Sequence, residues 1–390
     1  MKLHPEAEAL SPWMQAIRHD LHKHPELGFQ ETRTSERVAN ELRNMGLEVH
    51  TGLAGTGVVA TLKRGTSNRA IGLRADLDAL PMQEKSGVSY ASVNEGVFHG
   101  CGHDGHTAML LGAARALSTS GEFDGIVHFI FQPAEEGLGG AVEMMKDGLF
   151  EKFPCSHVFG LHNWPDHKLG EFGVRPGAMM AAFSTFDITI TGTGGHGALP
   201  HTTIDPVVIA ASLVQSLQSI VSRVIDPVNA AVVSVTQIHG GSAYNVIPDT
   251  VVLSGCCRYF SDEDRQKISE EIERRAHFVA QSAGASARVD MKEIYTILMN
   301  DPEQTDVCAR VAEAIVGNEQ VHRNRAPIMA SEDFAFMLQE VPGCYILMGT
   351  GGDGHGCMVH NPGYNFNDDA LAIGTSYWVE LVRQQLPIAG

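Results

Sequence analysis

The residues with the clearest chemical potential lie in the run His99-Gly100-Cys101-Gly102-His103-Asp104-Gly105-His106. Glycines let the backbone turn tightly, so a thiol and an imidazole two residues apart can converge on one point, as a metal ion requires. Alone, a Cys-X-His pair is equally the content of a glycine turn that caps a helix, because two ligands do not make a site. Glu135-Glu136, His162 and His360 are the further candidates. Adjacent carboxylates repel unless a cation or a hydrogen-bond network holds them, whereas a lone histidine is more often structural. Taken together, Cys101, His103, Glu136, His162 and His360 form a mixed sulfur, nitrogen and oxygen set suited to Zn, Mn, Co or Ni. Five ligands suggest two ions sharing one of them, about 3.5 to 4 Å apart in hydrolases of this kind. Glu135 is then left over, and a spare carboxylate there is the expected general base. It would take a proton from the attacking water and pass it to the leaving nitrogen.

These residues follow short apolar runs. Ala70 to Leu73 precedes Arg74-Ala75-Asp76-Leu77-Asp78, Gly125 to Phe131 precedes Gln132-Pro133-Ala134-Glu135-Glu136, and His157 to Leu161 precedes His162. Such runs read as strands buried on both faces, in a parallel or mixed sheet covered by helices. Ligands of such sheets bind beyond the carboxyl ends of the strands, where these polar clusters fall. Two amphipathic helices are expected between Pro12 and about Gly46, from Trp13, Ile17, Leu21 and then Val38, Leu42, Met45, flanking the loop His24-Pro25-Glu26-Leu27-Gly28. A helix with Met109, Leu110, Ala113 and Leu117 on its apolar positions follows the Cys-X-His run.

From about Phe183 to Tyr295 the rhythm changes. Phe186, Ile188 and Ile190 alternate as a strand, Asp205-Pro206 starts a helix to about Val224, and Ala230 to Ile238 and Thr250 to Tyr259 are strands. Ser261 caps a second helix with Glu263 and Asp264 in its first turn, and Ser286 to Ile294 is a final strand. The order β-α-β-β-α-β is that of a ferredoxin-like split unit. It divides the chain into a discontinuous catalytic domain, 1–182 and 297–390, and an inserted domain, 183–296. The first domain resumes with a helix, a strand from Cys344 to Met348 and a last helix begun by Asn367-Asp368-Asp369.

The chain resembles the amidohydrolase branch of the aminoacylase and carboxypeptidase-type dinuclear metallopeptidases, which includes hippurate hydrolases and hydrolases of auxin–amino acid conjugates. The resemblance covers nearly the whole chain. It rests on the segments already quoted at residues 24–28, 74–81, 101–106 and 132–136, and on Gly194-Gly195-His196-Gly197, Asn245-Val246-Ile247-Pro248-Asp249, Ser331-Glu332-Asp333-Phe334 and His360-Asn361-Pro362. It implies an α/β fold: a mixed-sheet, zinc-peptidase-like catalytic domain with an inserted ferredoxin-like α+β lid domain that also carries a dimer contact. It further implies two divalent ions per subunit (Mn, Zn, Co or Ni), with Cys101 as bridging ligand, His103, Glu136, His162 and His360 as the others, and Glu135 as base. Wider relatives have a His-X-Asp motif and a bridging Asp where this chain has Arg74-Ala75-Asp76 and Cys101. A thiolate bridge makes such a site sensitive to oxidation and low pH. Asp76 is expected to orient a ligand or a nearby histidine.

In the inserted domain, His196 is a candidate for hydrogen-bonding the developing oxyanion, and Asn245 and Arg258 for binding a substrate carboxylate, for which the planar guanidinium fork is suited. The expected reaction is hydrolysis of an N-acyl amino acid, and the same machinery serves a dipeptidase or carboxypeptidase. A binding protein without turnover is disfavoured, since both Glu135 and Glu136 are kept. The segment Gly352-Asp353-Gly354-His355-Gly356-Cys357 departs from the family pattern.

Bulk properties limit the alternatives. At 390 residues and 43% hydrophobic content the chain is long enough for two cores. A net charge of −18 without a basic patch argues against nucleic acid and anionic membranes as partners. The first 30 residues lack the apolar stretch of a signal peptide. Seven cysteines without paired spacing argue against a disulfide framework. A cytoplasmic enzyme acting on a small molecule, as a homodimer or higher homo-oligomer, is the expectation.

Overall fold

The computed structural model describes residues 1–388. The chain separates into two compact units: Met1–Met179 with Leu298–Pro327 and Glu332–Gly390, and Met180–Ile297 with Ile328–Ser331. Each has its own hydrophobic core, as independent domains do.

The first unit is built on an eight-stranded mixed sheet. Its spatial order is Glu48–Leu53, Gly57–Arg64, Gly125–Gln132, Ala70–Asp76, His157–Lys168, Gly343–Gly351, Phe172–Gly173 and Val321–His322. The four central strands run parallel, so their carboxyl ends share one edge. In this register Asp76 lies opposite Gln132, which places the acidic segment 76–78 beside the segment that leads to Glu135 and Glu136. Continuous burial of Ala70–Asp76 and Gly343–Gly351 matches strands covered on both faces. The cover comes from the helices Pro5–Lys23, His103–Ser120, Pro302–Val316 and Ala370–Gln385, whose apolar residues join the same core.

Three details differ from the sequence expectation, the first being that the strand expected to end at Leu161 runs from His157 to Lys168, so His162 lies within it and not after it. The first helix begins at Pro5, with Pro12 inside it, and buries Ala7, Met14, Ile17 and Leu21 along one stripe. The antiparallel pair Glu48–Leu53 and Gly57–Arg64 has no counterpart among the expected elements. Glu48–Leu53 is mostly exposed, so it carries little apolar signal.

The second unit has a four-stranded antiparallel sheet in the order Val232–His239, Thr250–Tyr259, Ala182–Thr191, Ser286–Tyr295. Alternate burial along Ala182–Thr191 gives it one covered face. The cover is a helical segment, broken at Gln218 into Pro206–Leu217 and Ser219–Arg223, and the helix Asp262–Ser282. Asp205 accepts from the backbone N–H of Val207 and Ser261 from that of Asp264, so both caps form as their residue types dictate. No helix of the described residues is long and apolar enough to cross a membrane.

Candidate metal centre and active site

The strand edge of the first unit brings the dispersed candidates together. Cys101, His103 and His162 offer ligand atoms within 4.8 Å of one another, and so do Cys101, Glu136 and His360. Cys101 belongs to both groups. Its Sγ is 3.3 Å from His162 Nε2, and Glu136 Oε1 is 3.2 Å from His360 Nε2 and 4.0 Å from His103 Nε2. Cys101, His103, Glu135 and His162 are buried, Glu136 is half-buried and His360 exposed.

Local structure explains how each side chain arrives. Gly102 precedes the helix His103–Ser120 at φ +92°, and a Cβ there would lie 2.4 Å from Asn163 Oδ1 and 2.5 Å from Tyr364 Oη. Only glycine fits that left-handed, crowded position. The helix start is anchored by Asp104, whose Oδ2 lies 3.1 Å from Arg18 Nη1 and 2.8 Å from His22 Nδ1. Ala134 has φ +55° and His360 φ +62°. Non-glycine residues hold that conformation only where their surroundings enforce it. Glu31 Oε1 accepts the Ala134 N–H at 2.8 Å, and the His360 N–H donates to the Gly100 carbonyl at 2.7 Å.

The donor set suits a cation. The Nδ1 of His162 donates to the Asn163 carbonyl at 2.6 Å, so its Nε2 presents a lone pair toward Cys101. Among the described residues, His103 Nε2 and Glu136 Oε1 are buried without a hydrogen-bond partner, an uncommon state for native polar atoms unless something else satisfies them. Burial lowers the His103 pKa, but Asp76, Asp78 and Glu136 outweigh it and push it up to about 10. Burial, then Glu136 and Glu135, push the Cys101 thiol well above its ordinary value. Burial, then Glu332, Glu136, Asp333 and Asp78, raise Glu135 well above the usual carboxylate range. An interior this acidic favours positive charge, and divalent ions would reverse the thiol shift.

Behind the cluster, Arg74 is fully buried and bonds Gln132, Asp76, Glu332 and Asp333. Tyr345 donates to Glu332, and Asp333 accepts the Ala141 N–H. Asp76 has one oxygen on Arg74 at 2.8 Å and the other on His106 Nδ1 at 2.6 Å. The nearby histidine that it holds is therefore His106. A remote group, His167, Glu171 and His322, also has metal-like spacing. There Arg325 Nε donates to His167 Nε2 at 2.9 Å, which keeps the imidazole proton on Nδ1 and removes that nitrogen as a ligand.

Of the other expected residues, His196 and Asn245 lie in the second unit, where Gly195–His196 pairs with Val246–Ile247. Arg258 Nη1 donates to the Met329 carbonyl and Ser331 Oγ, both at 2.8 Å, and its guanidinium stacks 4.4 Å over Phe183. His355, in the segment 352–357, meets the Asn365 carbonyl through Nδ1 at 3.0 Å. The sequence did not single out Glu31, Asn163 or Asp78. Asp78 had a signal in the alternation Asp76-Leu77-Asp78 at a strand end.

Comparison with known proteins agrees with this geometry. Residues 72–384 match the model of peptidase family M20/M25/M40. The hippurate hydrolase of Campylobacter jejuni is 42% identical over 386 residues, covering 99% of this chain and 100% of its own. The N-acetylcysteine deacetylase of Bacillus subtilis is 38% identical over 367 residues, 94% of each chain. A Bacillus subtilis crystal structure described as a dinuclear metal binding peptidase of the M20 family superposes with a TM-score of 0.84 at 34% identity, covering 97% of this chain and 99% of that one. The chain is a hydrolase that belongs to peptidase family M20/M25/M40, in its amidohydrolase branch.

Proposed function

We propose that the protein hydrolyses the amide bond of N-acyl amino acids at a pair of divalent ions, with Glu135 as general base. The observation that carries this reading is the pair of three-residue groups sharing Cys101, with Glu135 next to the ligand Glu136 in sequence. Cys101, His103 and His162 would hold one ion, and Cys101, Glu136 and His360 the other. Two ions of Mn, Zn, Co or Ni, when bound, would polarise the amide carbonyl and acidify the attacking water. Glu135 accepts the proton of that water as it attacks the carbonyl carbon, and returns it to the amide nitrogen as the C–N bond breaks. Burial and acidic neighbours raise its proton affinity, which suits a base, while nearby divalent ions would counter the shift and leave it ionised to accept the first proton. His196 is the candidate for hydrogen-bonding the oxyanion, and Asn245 and Arg258 are the candidates for binding the substrate carboxylate.

Two relatives bear the names of enzymes acting on hippurate and N-acetylcysteine, both N-acyl amino acids, and this supports the substrate class. In the second unit, Val232–His239 is an edge strand with Ile238 exposed, a feature that supports assembly into a homodimer or higher homo-oligomer.

The test is a panel of N-acetyl and N-benzoyl amino acids and dipeptides, assayed after chelation and reconstitution with Mn, Zn, Co or Ni separately. Acyl-amino acid hydrolysis abolished by chelator and restored by a metal is expected. Turnover of dipeptides alone, or activity indifferent to chelator, would overturn the reading.

A further inference from the structure

Beside the candidate metal centre lies a cation that no carboxylate of the chain neutralises. Trp164 stands two residues beyond the ligand candidate His162 on the strand His157–Lys168, so both side chains leave the same face, and their ring centroids are 6.4 Å apart. The guanidinium carbon of Arg325 lies 5.4 Å from the centroid of the Trp164 ring. One indole therefore separates Arg325 from a ligand of the centre. We propose that Arg325, backed by Trp164, is a subsite for a second carboxylate of the substrate, so that the preferred N-acyl amino acids carry an acid in their side chain or in their acyl group. This rests on the acyl-amino acid reading above and narrows its substrate class.

The arm is fixed without a ligand. Arg325 Nε donates to His167 Nε2 at 2.9 Å, and the Arg325 backbone N–H donates to the Val174 carbonyl at 3.3 Å. Gly173 makes room for the side chain, since a Cβ there would lie 2.5 Å from Arg325 Cδ. With Nε taken by an imidazole nitrogen, Nη1 and Nη2 remain as an open fork, the geometry that a carboxylate accepts bidentately. Such preorganisation removes part of the ordering cost of binding. Among the described residues Arg325 forms no ion pair. Half-burial lowers its pKa, and the exposed Asp166 offsets this only in part. Arg323, two residues earlier, shows what a structural arginine looks like here, with Glu313 and Asp306 on its guanidinium. In a chain of net charge −18 acids are plentiful, so a half-buried guanidinium that none of them occupies is open to an acid from outside. The α-carboxylate already has its candidates in Asn245 and Arg258, which leaves Arg325 for a different carboxylate.

Steady-state kinetics of the metal-reconstituted full-length wild type and Arg325→Gln decide, on two substrate pairs matched in shape and differing in charge. These are N-acetyl-glutamate against N-acetyl-glutamine, and N-succinyl-alanine against N-succinamoyl-alanine. In kcat/KM, wild type should favour the acid of at least one pair by about 10- to 100-fold, the effect of charge-assisted hydrogen bonds. The pair that shows it identifies which end of the substrate carries the carboxylate. In Arg325→Gln that ratio should fall to about 1, through a rise in KM for the acid. Wild type hydrolysing all four without regard to charge, or a preference that survives in Arg325→Gln, would overturn the subsite and leave the acyl-amino acid reading standing. Equal loss on all four would also overturn it, since Arg325 would then serve the common α-carboxylate or the fold. If wild type hydrolysed none of the four, the acyl-amino acid reading would fall and the subsite with it. Should Arg325→Gln not fold, Arg325→Lys takes its place, because it keeps the charge but loses the fork. A reduced ratio is then expected, and an unchanged one would overturn the subsite.

Discussion

Cys101 Sγ lies 3.3 Å from His162 Nε2, and that nitrogen presents a lone pair because the Nδ1 proton of the same ring is donated to the Asn163 carbonyl. A thiol facing a lone pair would be a weak hydrogen bond, whereas a thiolate and a neutral imidazole facing one point make two ligands of a soft or borderline cation. Cys101→Ser keeps the shape and removes the thiolate that both groups share. The variant should retain fewer than two ions per chain after dialysis, measured by elemental analysis against protein concentration. Retention of both would deny the sharing.

Glu135→Gln should leave metal content unchanged and lower kcat by about 10²- to 10⁴-fold, the usual contribution of a general base. Steady-state kinetics with an N-acyl amino acid checks it. Loss of metal in parallel with activity would instead place Glu135 among the ligands.

Gly102→Ala should cost about 2 to 4 kcal/mol, from the left-handed backbone and the overpacking against Asn163 and Tyr364 together. Denaturant unfolding measures the loss. Its position directly before His103 predicts that metal affinity falls with it, so an alanine variant of full stability would contradict the described turn.

Stability toward alkaline pH should depend on His22. Burial alone would lower its pKa, but hydrogen bonds with Asp104 and Glu84 raise it from 6.5 to about 9. A raised folded-state value means that the stabilisation is complete below pH 6.5 and fades as the pH rises through about 9. Each tenfold gain in proton affinity on folding is worth about 1.4 kcal/mol, so the whole effect is about 3 kcal/mol. Burial would likewise raise Asp104, yet His22 and Arg18 hold it well below the usual range, so its own contribution is lost only in acid. Melting curves between pH 6 and 10 should fall for the wild type and be flatter for His22→Gln. Parallel curves would show that His22 stays neutral in the folded protein.

The parts of this fold that were legible in the sequence are those with strong periodic or chemical signals. The apolar runs at Ala70, Gly125 and His157 mark the central strands because burial on both faces favours apolar side chains, with Glu135 and Glu136 following Gly125–Gln132 and His162 lying within His157–Lys168. Asp205 and Ser261 announce their helices by capping chemistry that acts over two or three residues. The half-exposed hairpin at Glu48–Arg64 gave no such pattern, and the break at Gln218 lies within an otherwise helical run. The supporting acids were hidden for a different reason. Glu31 meets Ala134, and Arg74 meets Glu332, across long chain separations, and the sheet register that joins them cannot be read from local composition.

Anomalous diffraction from crystals of the Zn- or Mn-loaded protein tests the shared thiolate most directly. Two peaks about 3.5 to 4 Å apart are predicted, both in contact with Cys101 Sγ. One should be completed by His103 and His162 and the other by Glu136 and His360. A single peak, or two peaks of which neither or only one touches Cys101, would contradict it.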